Sequence, residues 1–311
     1  MEIRKGEIIE VEISDVAFGG NGIAKVDGFV IFVERAIGGD RVAARIIKKK
    51  KNHAIARIDT ILQPSPHRIP APCQYSGYCG GCKWQFLSYE KQIEYKRQHV
   101  IDSISHIGGM DDIAVHPTLP SEEIFGYRNK MEFSCSEAAW LLPDAFAESE
   151  GPKDFAIGLH VPGTYNKVID IETCHIQPPL GNDILNDIRA FIRDSGLPIY
   201  GLRSHIGFWR FVMLRHSVAY DQWMVNIVTA AENPELLGTL ADTLVDRYPQ
   251  ITSVVNNVTA RKSSVAVGEV EIPLAGASVL REQIGEHVFD IHANSFFQTN
   301  TRGARQLYAI V

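Results

Sequence analysis

The sequence predicts an α+β chain: a small N-terminal β-barrel of OB-like form, then a larger mixed α/β region, with a cysteine-bearing loop near the junction. Three observations carry that reading. Short alternating apolar runs with glycine turns fill residues 1–62; four prolines then precede three clustered cysteines; and beyond about residue 113 helical and strand periodicities mix. A chain of 311 residues can hold two domains or three small ones.

In the barrel, Ile9, Val11 and Ile13 alternate with Glu10, Glu12 and Ser14, the period of a half-buried strand. Gly19-Gly20-Asn21-Gly22 turns the chain into Ile23 to Val26, and Asp27-Gly28 turns it again into Phe29 to Val33. Runs from Arg41 to Lys51 and from His53 to Ile58 complete five strands. Arg41 through Arg57 carries seven Lys or Arg and no acid. Such a stretch is either an edge strand protected by charge or a phosphate-binding face offering Lys48, Lys49 and Lys50. Phe18 and Phe32 have the chemistry to stack on bases, but a barrel this small is expected to keep its aromatics in the core.

Pro64, Pro66, Pro70 and Pro72 exclude helix and central strand and lead into Cys73, Cys79 and Cys82. Ser88 is an N-cap candidate for an amphipathic helix over 89–107, ended by Gly108-Gly109. Strands are expected at Lys130–Ser136, Ala156–Val161, Arg210–Ser217, Trp223–Thr229, Ser253–Val258 and His287–His292. Helices are expected at Asn182–Ser195 and Glu235–Arg247, and a surface insertion at Pro143–Asp154. The last residues, Tyr308 to Val311, stop inside a helical run with no cap, and a truncated chain is expected.

The cysteines carry the chemistry. C-x5-C-x2-C puts three thiols on one glycine-rich loop, and Cys174 offers a fourth from another element. Structural zinc favours paired C-x2-C knuckles; three ligands on one loop favour a [4Fe–4S] cubane, with zinc the alternative. Cys135 lies in a strand pattern and reads as a buried structural thiol. No apolar run spans a bilayer and Met1 to Lys5 lacks a signal-peptide core, so a cytoplasmic chain with reduced thiols is expected. The net charge of −6 argues against polyanion binding by the whole surface but not by a local basic face.

Taken in order, the barrel, the C-x5-C-G-G-C loop, Gly126-Tyr127-Arg128-Asn129-Lys130-Met131-Glu132-Phe133-Ser134, Cys174 and Ser295-Phe296-Phe297-Gln298-Thr299-Asn300-Thr301 resemble the RNA uracil-C5 methyltransferases, specifically the 23S ribosomal RNA branch. The resemblance spans the whole chain. It implies a TRAM barrel at 1–62, a central iron–sulfur RNA-binding domain at 63–292, and at 293–311 the beginning of a Rossmann-like methyltransferase domain. It also implies a [4Fe–4S] cluster on Cys73, Cys79, Cys82 and Cys174, with the 89–107 helix packed on the catalytic domain. Tying the barrel to RNA, it tilts the basic strand toward phosphate contact. Because tRNA-modifying relatives are expected to lack both barrel and cluster, ribosomal RNA is the expected partner of a monomer.

Methylating uracil at carbon-5 requires a thiolate to add at carbon-6, a methyl group from S-adenosylmethionine, and a base to remove the carbon-5 proton. By the same resemblance the nucleophile and most of the S-adenosylmethionine site lie beyond this chain, which is expected to be inactive by itself. Within it, Gln298 aligns with a cofactor-contacting glutamine, Phe296 with an aromatic of the uracil pocket, and Arg128 and Lys130 with the RNA groove. The rival reading is a stand-alone RNA-binding module held by zinc or a cluster, without enzymatic activity.

Overall fold

The computed structural model describes residues 3–143, 154–263 and 265–311. Residues 144–153, most of the expected surface insertion, lie outside the described residues. The chain forms two compact units, the first of residues 3–77 and 82–120, the second of residues 78–81 and 121–311.

The first unit is built on six strands, β1 (Ile8–Glu12), β2 (Asp15–Val16), β3 (Gly22–Val26), β4 (Phe29–Glu34), β5 (Arg41–Lys49) and β6 (His53–Gln63), in the order β1-β5-β6-β4-β3-β2. The extra strand, β2, has two residues and is too short to show a period. It closes the barrel: β1 pairs with β5, and after a bend β2 pairs with β3, with Ser14 N–H donating to the Ile23 carbonyl at 2.9 Å. The core is aliphatic and small, with Val11, Ala24, Ile31, Val33, Val42, Ala44, Ala54 and Ala56 buried.

That interior overturns the expected place of the aromatics. Phe18 is 87% exposed, and Phe32 lies half-buried on the outer side of β4, edge-on to His53 at 5.5 Å between centroids. Ile31 and Val33 take the inward positions of β4, so alternation turns Phe32 outward, and Phe18 stands in the loop between β2 and β3.

Residues beyond the barrel also differ from expectation. Helix α1 (Tyr89–Asp102) runs into a π-helical turn (Ser103–Ile107), ending at Gly108, whose N–H returns to the Ser103 carbonyl. Tyr95 packs with Phe86, Leu87, Val16 and Ile37, and His99 Nε2 lies 2.8 Å from the Val16 carbonyl oxygen. One side of the helix therefore covers the barrel, while Val100 and Ile107 are exposed. The boundary expected at residue 63 falls instead near residue 120, because Phe86, Leu87 and Tyr95 bury their apolar surface with barrel residues. A buried ion pair reinforces this unit: Asp40, fully buried, accepts from Arg68, from Ile37 N–H and from Ser65 N–H.

The second unit centres on seven strands: β7 (Lys130–Ser136), β8 (Ala156–His160), β9 (Val168–Asp170), β10 (Trp209–Ser217), β11 (Gln222–Thr229), β12 (Ile251–Val258) and β13 (Val270–Gly276). Their order is β13-β12-β11-β10-β7-β8-β9, antiparallel except for β11–β12, which α3 (Pro234–Arg247) connects as a parallel crossover. Helix α2 (Leu180–Asp194) buries Ile184, Leu185, Ile188 and Ile192, and is tied to α3's end by Tyr248 Oη donating to Asp187 at 2.6 Å. Both helices form at the expected places, as do the six expected strands. The sequence reading omitted β9, which has three residues, the strand at Leu280–Ile284, and β13, where Pro273 and Gly276 read as breakers yet sit on an edge strand that tolerates them.

Helices α2 and α3 take one face of this sheet, and a hairpin with the C-terminal helix beside it covers part of the other. Strands β14 (Leu280–Ile284) and β15 (His287–Ile291) make that hairpin, and Leu280 packs with Met224, Val255 and Ala293. Alternation along β7 sends Met131, Phe133 and Cys135 to the helix side and Lys130, Glu132, Ser134 and Ser136 to the open side. Residues 293–311, expected to open a separate domain, belong to this unit and include α4 (Thr301–Tyr308).

Candidate nucleic-acid interface and cysteine loop

The segment from Ala293 to Thr301 is held along its whole length by buried polar side chains. Arg215 donates to the carbonyls of Ala293 and Ser295, and Asn294 Nδ2 donates to Asn257 Oδ1 at 2.8 Å. Asn129 receives the far end: its N–H donates to the Thr299 carbonyl at 2.9 Å, and its Nδ2 to the Gln298 carbonyl and to Thr301 Oγ1, both at 2.8 Å. Thr301 Oγ1 in turn donates to Glu282, which is 1% exposed and also accepts from the N–H groups of Val218, Ala219 and Gln283.

On this fixed backbone Phe296 is 86% exposed, while its neighbour Phe297 packs edge-on to Phe289. An exposed phenyl on a mobile loop would collapse onto nearby apolar surface. Here the tethers on both sides hold it out, which makes a ready stacking surface. Gln298 is also exposed, its carbonyl taken by Asn129. Asn129, Arg215, Glu282 and Thr301 were not singled out from sequence: Asn129 stood inside a quoted motif, but Glu282 alternates with Arg281 and Gln283 like any surface strand residue.

Arg128 and Lys130 stand beside this segment. Arg128 Nε donates to the Lys130 carbonyl at 3.0 Å, and Lys130 opposes Arg215 across the β7–β10 pair. Burial, with the Arg215 charge adding to it, holds the Lys130 ammonium below its ordinary range; burial also lowers the Arg215 guanidinium to about 10. Glu132, on the same face, is the anion that answers these two cations, its carboxylate 3.6 Å from Lys130 Nζ. On the barrel, Lys48, Lys49 and Lys50 are exposed at the β5–β6 turn, in no ion pair among the described residues. They sit at one end of the outer face that carries Phe32, His53 and Arg57.

None of the five cysteines forms a disulfide. Cys73 and Cys82 belong to the first unit and are electrostatic neighbours: burial pushes the Cys73 thiol up, the Tyr75 backbone opposes it, and Cys82 adds to the rise. Cys79 and Cys174 belong to the second unit. Gly80 N–H donates to the His160 carbonyl at 2.9 Å, docking the loop on β8, and Gly81 N–H points at Cys79 Sγ, 3.3 Å away. A side chain at Gly80 would strike the His160 carbonyl, which explains the glycine. Cys174 is buried, its N–H held by Asn182.

Among the described residues no three His, Cys, Asp or Glu side chains converge as the ligands of one metal ion would. A zinc ion needs that convergence, with its sulfurs about 2.3 Å away, whereas a cubane spreads its thiolates over separate corners. All five are free thiols, and the Gly81 N–H at Cys79 Sγ is the kind of contact that steadies a thiolate. Cys135 is different: it is 8% exposed, and burial pushes its thiol up to about 12. It is a packed side chain, as its sequence context implied.

Comparison with known proteins shows what the chain is similar to. Residues 3–58 match the TRAM domain family. The chain is 42% identical over 310 residues to an uncharacterized RNA methyltransferase of Chlorobaculum tepidum, covering 98% of the chain and 64% of that protein. To an uncharacterized RNA methyltransferase of Porphyromonas gingivalis it is 36% identical, over 96% of the chain and 66% of the relative. The chain thus spans just under two thirds of the length of these relatives. The crystal structure of Pyrococcus abyssi tRNA (uracil-54, C5)-methyltransferase, in complex with S-adenosyl-L-homocysteine, shares its fold with a TM-score of 0.70 at 24% identity, covering 97% of this chain and 64% of that one. That coverage includes the barrel, so the barrel does not separate ribosomal from tRNA enzymes. The expectation that tRNA-modifying relatives lack it is corrected here. No helix among the described residues is long and apolar enough to cross a membrane.

Proposed function

We propose that this chain is the RNA-binding portion of an S-adenosylmethionine-dependent RNA (uracil-C5)-methyltransferase, with 23S ribosomal RNA as substrate. The observation that carries the reading is the tethered 293–301 segment, which presents Phe296 to solvent beside Arg128 and Lys130. A base unstacked from RNA needs a flat apolar partner and cations for its phosphates, and this segment supplies both. The homologues, described as RNA methyltransferases, support the reaction class. With the barrel no longer discriminating, preference for ribosomal RNA rests on the cysteine loop. Nothing in the relatives supports the stand-alone module.

S-adenosylmethionine supplies the methyl group when bound, and Gln298 is the residue of this chain proposed to touch it. Cys73, Cys79, Cys82 and Cys174 would hold a [4Fe–4S] cluster, which would brace the loop that carries three of them. No cysteine here serves as the carbon-6 nucleophile: four are committed to the cluster, and the Cys135 thiol is buried and protonated. The 311 residues alone therefore bind RNA without methylating it.

Binding to a 23S rRNA fragment and to a tRNA transcript, each measured against salt, tests the proposal. Replacing Lys48, Lys49 and Lys50 with glutamine should reduce the log–log salt slope by about 2 for single-stranded contacts. No RNA binding at low salt, or an unchanged slope, refutes the RNA face; preference for tRNA refutes the ribosomal assignment. Transfer of label from S-adenosylmethionine by this chain refutes its inactivity, and a colourless anaerobic preparation lacking iron and sulfide refutes the cluster.

A further inference from the structure

We propose that the cavity at the C-terminal end of β7 is a second base subsite, taking one unpaired nucleobase through a carbonyl on its exposed edge. The inference rests on the RNA-binding reading above and places a contact that reading does not contain.

The cavity measures about 320 Å³ and lies on the face of the sheet opposite α2 and α3, lined by Ser134, His160, Val168, Tyr200, Arg210 and Phe211 among others. That is within the range of small-ligand sites. Its polar groups are built in and incompletely used. Arg210, 3% exposed, spends Nη1 on the carbonyls of Thr259 and Arg261 and Nη2 on that of Ser263, and its guanidinium lies 4.1 Å from the Tyr200 ring centroid. Two of its five N–H groups remain, and the one on Nε is buried with no partner. His160 Nε2 lies 2.9 Å from Ser134 Oγ, and its Nδ1 is likewise buried without a partner. Two unmet polar atoms around one cavity call for a ligand that meets them, since leaving them empty is costly.

The chemistry narrows the ligand. Arginine Nε–H can only donate, so the ligand offers an acceptor. Val168, Phe211 and Tyr200 supply apolar walls, and the Glu137 carboxylate lines the space with the Arg203 and Arg210 guanidiniums and offsets part of their charge, so a neutral acceptor with an apolar body fits there. A planar heterocycle with a ring carbonyl satisfies all three conditions. A hydrolytic Ser134–His160 pair is excluded, because His160 Nδ1 has no carboxylate to orient it. Position agrees: Ser134 and Lys130 share the open face of β7 four residues apart, roughly 13 Å, so one RNA strand crossing Lys130 can reach the cavity.

The test uses the full chain and single-stranded RNA carrying 4-thiouridine at successive positions, cross-linked under long-wave ultraviolet light and mapped by mass spectrometry. One position should cross-link to the peptide of His160 or Tyr200. An abasic site there, or His160→Leu, should each weaken binding at least about fivefold, and combining them should add little. Free uridine and guanosine should shift the His160 ring signals in NMR, adenosine at least about fivefold less. If RNA binds with its salt slope intact but cross-links elsewhere and His160→Leu is neutral, the subsite is refuted while the RNA reading stands. If no RNA binds, the nucleoside titration decides: no shift means that the cavity holds ordered water only. Ser134→Ala guards against misfolding, since it leaves Arg210 untouched and should weaken binding by a smaller factor in the same position-dependent way.

Discussion

Replacing Glu282 with glutamine probes the tether that positions Phe296. One carboxylate oxygen accepts from Val218 N–H at 2.8 Å and Thr301 Oγ1 at 2.9 Å; the other accepts from Ala219 N–H and Gln283 N–H, both at 3.0 Å, and from Ser217 Oγ at 3.3 Å. A carboxamide has only one oxygen. Turned toward Ala219 and Gln283, it leaves its NH2 facing the Val218 N–H, a backbone donor that cannot reverse. The Thr301 hydroxyl can rotate, but not while keeping every bond it now makes. One buried donor left unmet costs about 1–3 kcal/mol, and loss of charge from the surviving bonds brings the total to about 2–4 kcal/mol. Urea unfolding followed by the fluorescence of Trp209 and Trp223, both buried in this unit, should show a lower midpoint at unchanged m. Thr301→Val should cost about 1–2 kcal/mol, and the double variant less than the sum, because both changes delete the same bond. A Glu282→Gln shift under about 0.5 kcal/mol, or strict additivity, would refute the network as the anchor.

Other outcomes follow from the same reasoning. Asp40→Ala strands the Arg68 guanidinium and two backbone donors in a buried place, and should cost about 3–5 kcal/mol in the first unit, read from the near-ultraviolet circular dichroism melt. Gly158→Ala should prevent β8 from pairing with β9, since a methyl there collides with the Ile169 carbonyl; normal amide protection in both strands would contradict this. Burial holds the His160 imidazole below its ordinary value of 6.5. Above that pH it contributes no pH dependence, and as pH falls below it the unfolded chain takes the proton first, so stability is lost. His160→Gln should therefore lose less stability than the parent chain between roughly pH 7.5 and 5.5; parallel declines would be fatal to that assignment.

The sequence by itself determined the barrel's strands, the six main strands and two helices of the second unit, and the amphipathic helix, because each carries its period in consecutive residues. It also placed three thiols within ten positions on one glycine-rich loop. Tertiary structure decided what local periodicity cannot encode. Assembly of the barrel gave its core to Ile31 and Val33 and left Phe32 and Phe18, two expected core residues, outside it. Tyr95 and Leu87 committed α1 to the barrel, although nothing in their spacing names the partner surface. Asn129 and Glu282 became anchors of the Phe296 segment through contacts 172 and 19 residues away along the chain. Hydrogen bonds between such distant residues form only when the sheet is assembled, so no window of sequence contains them.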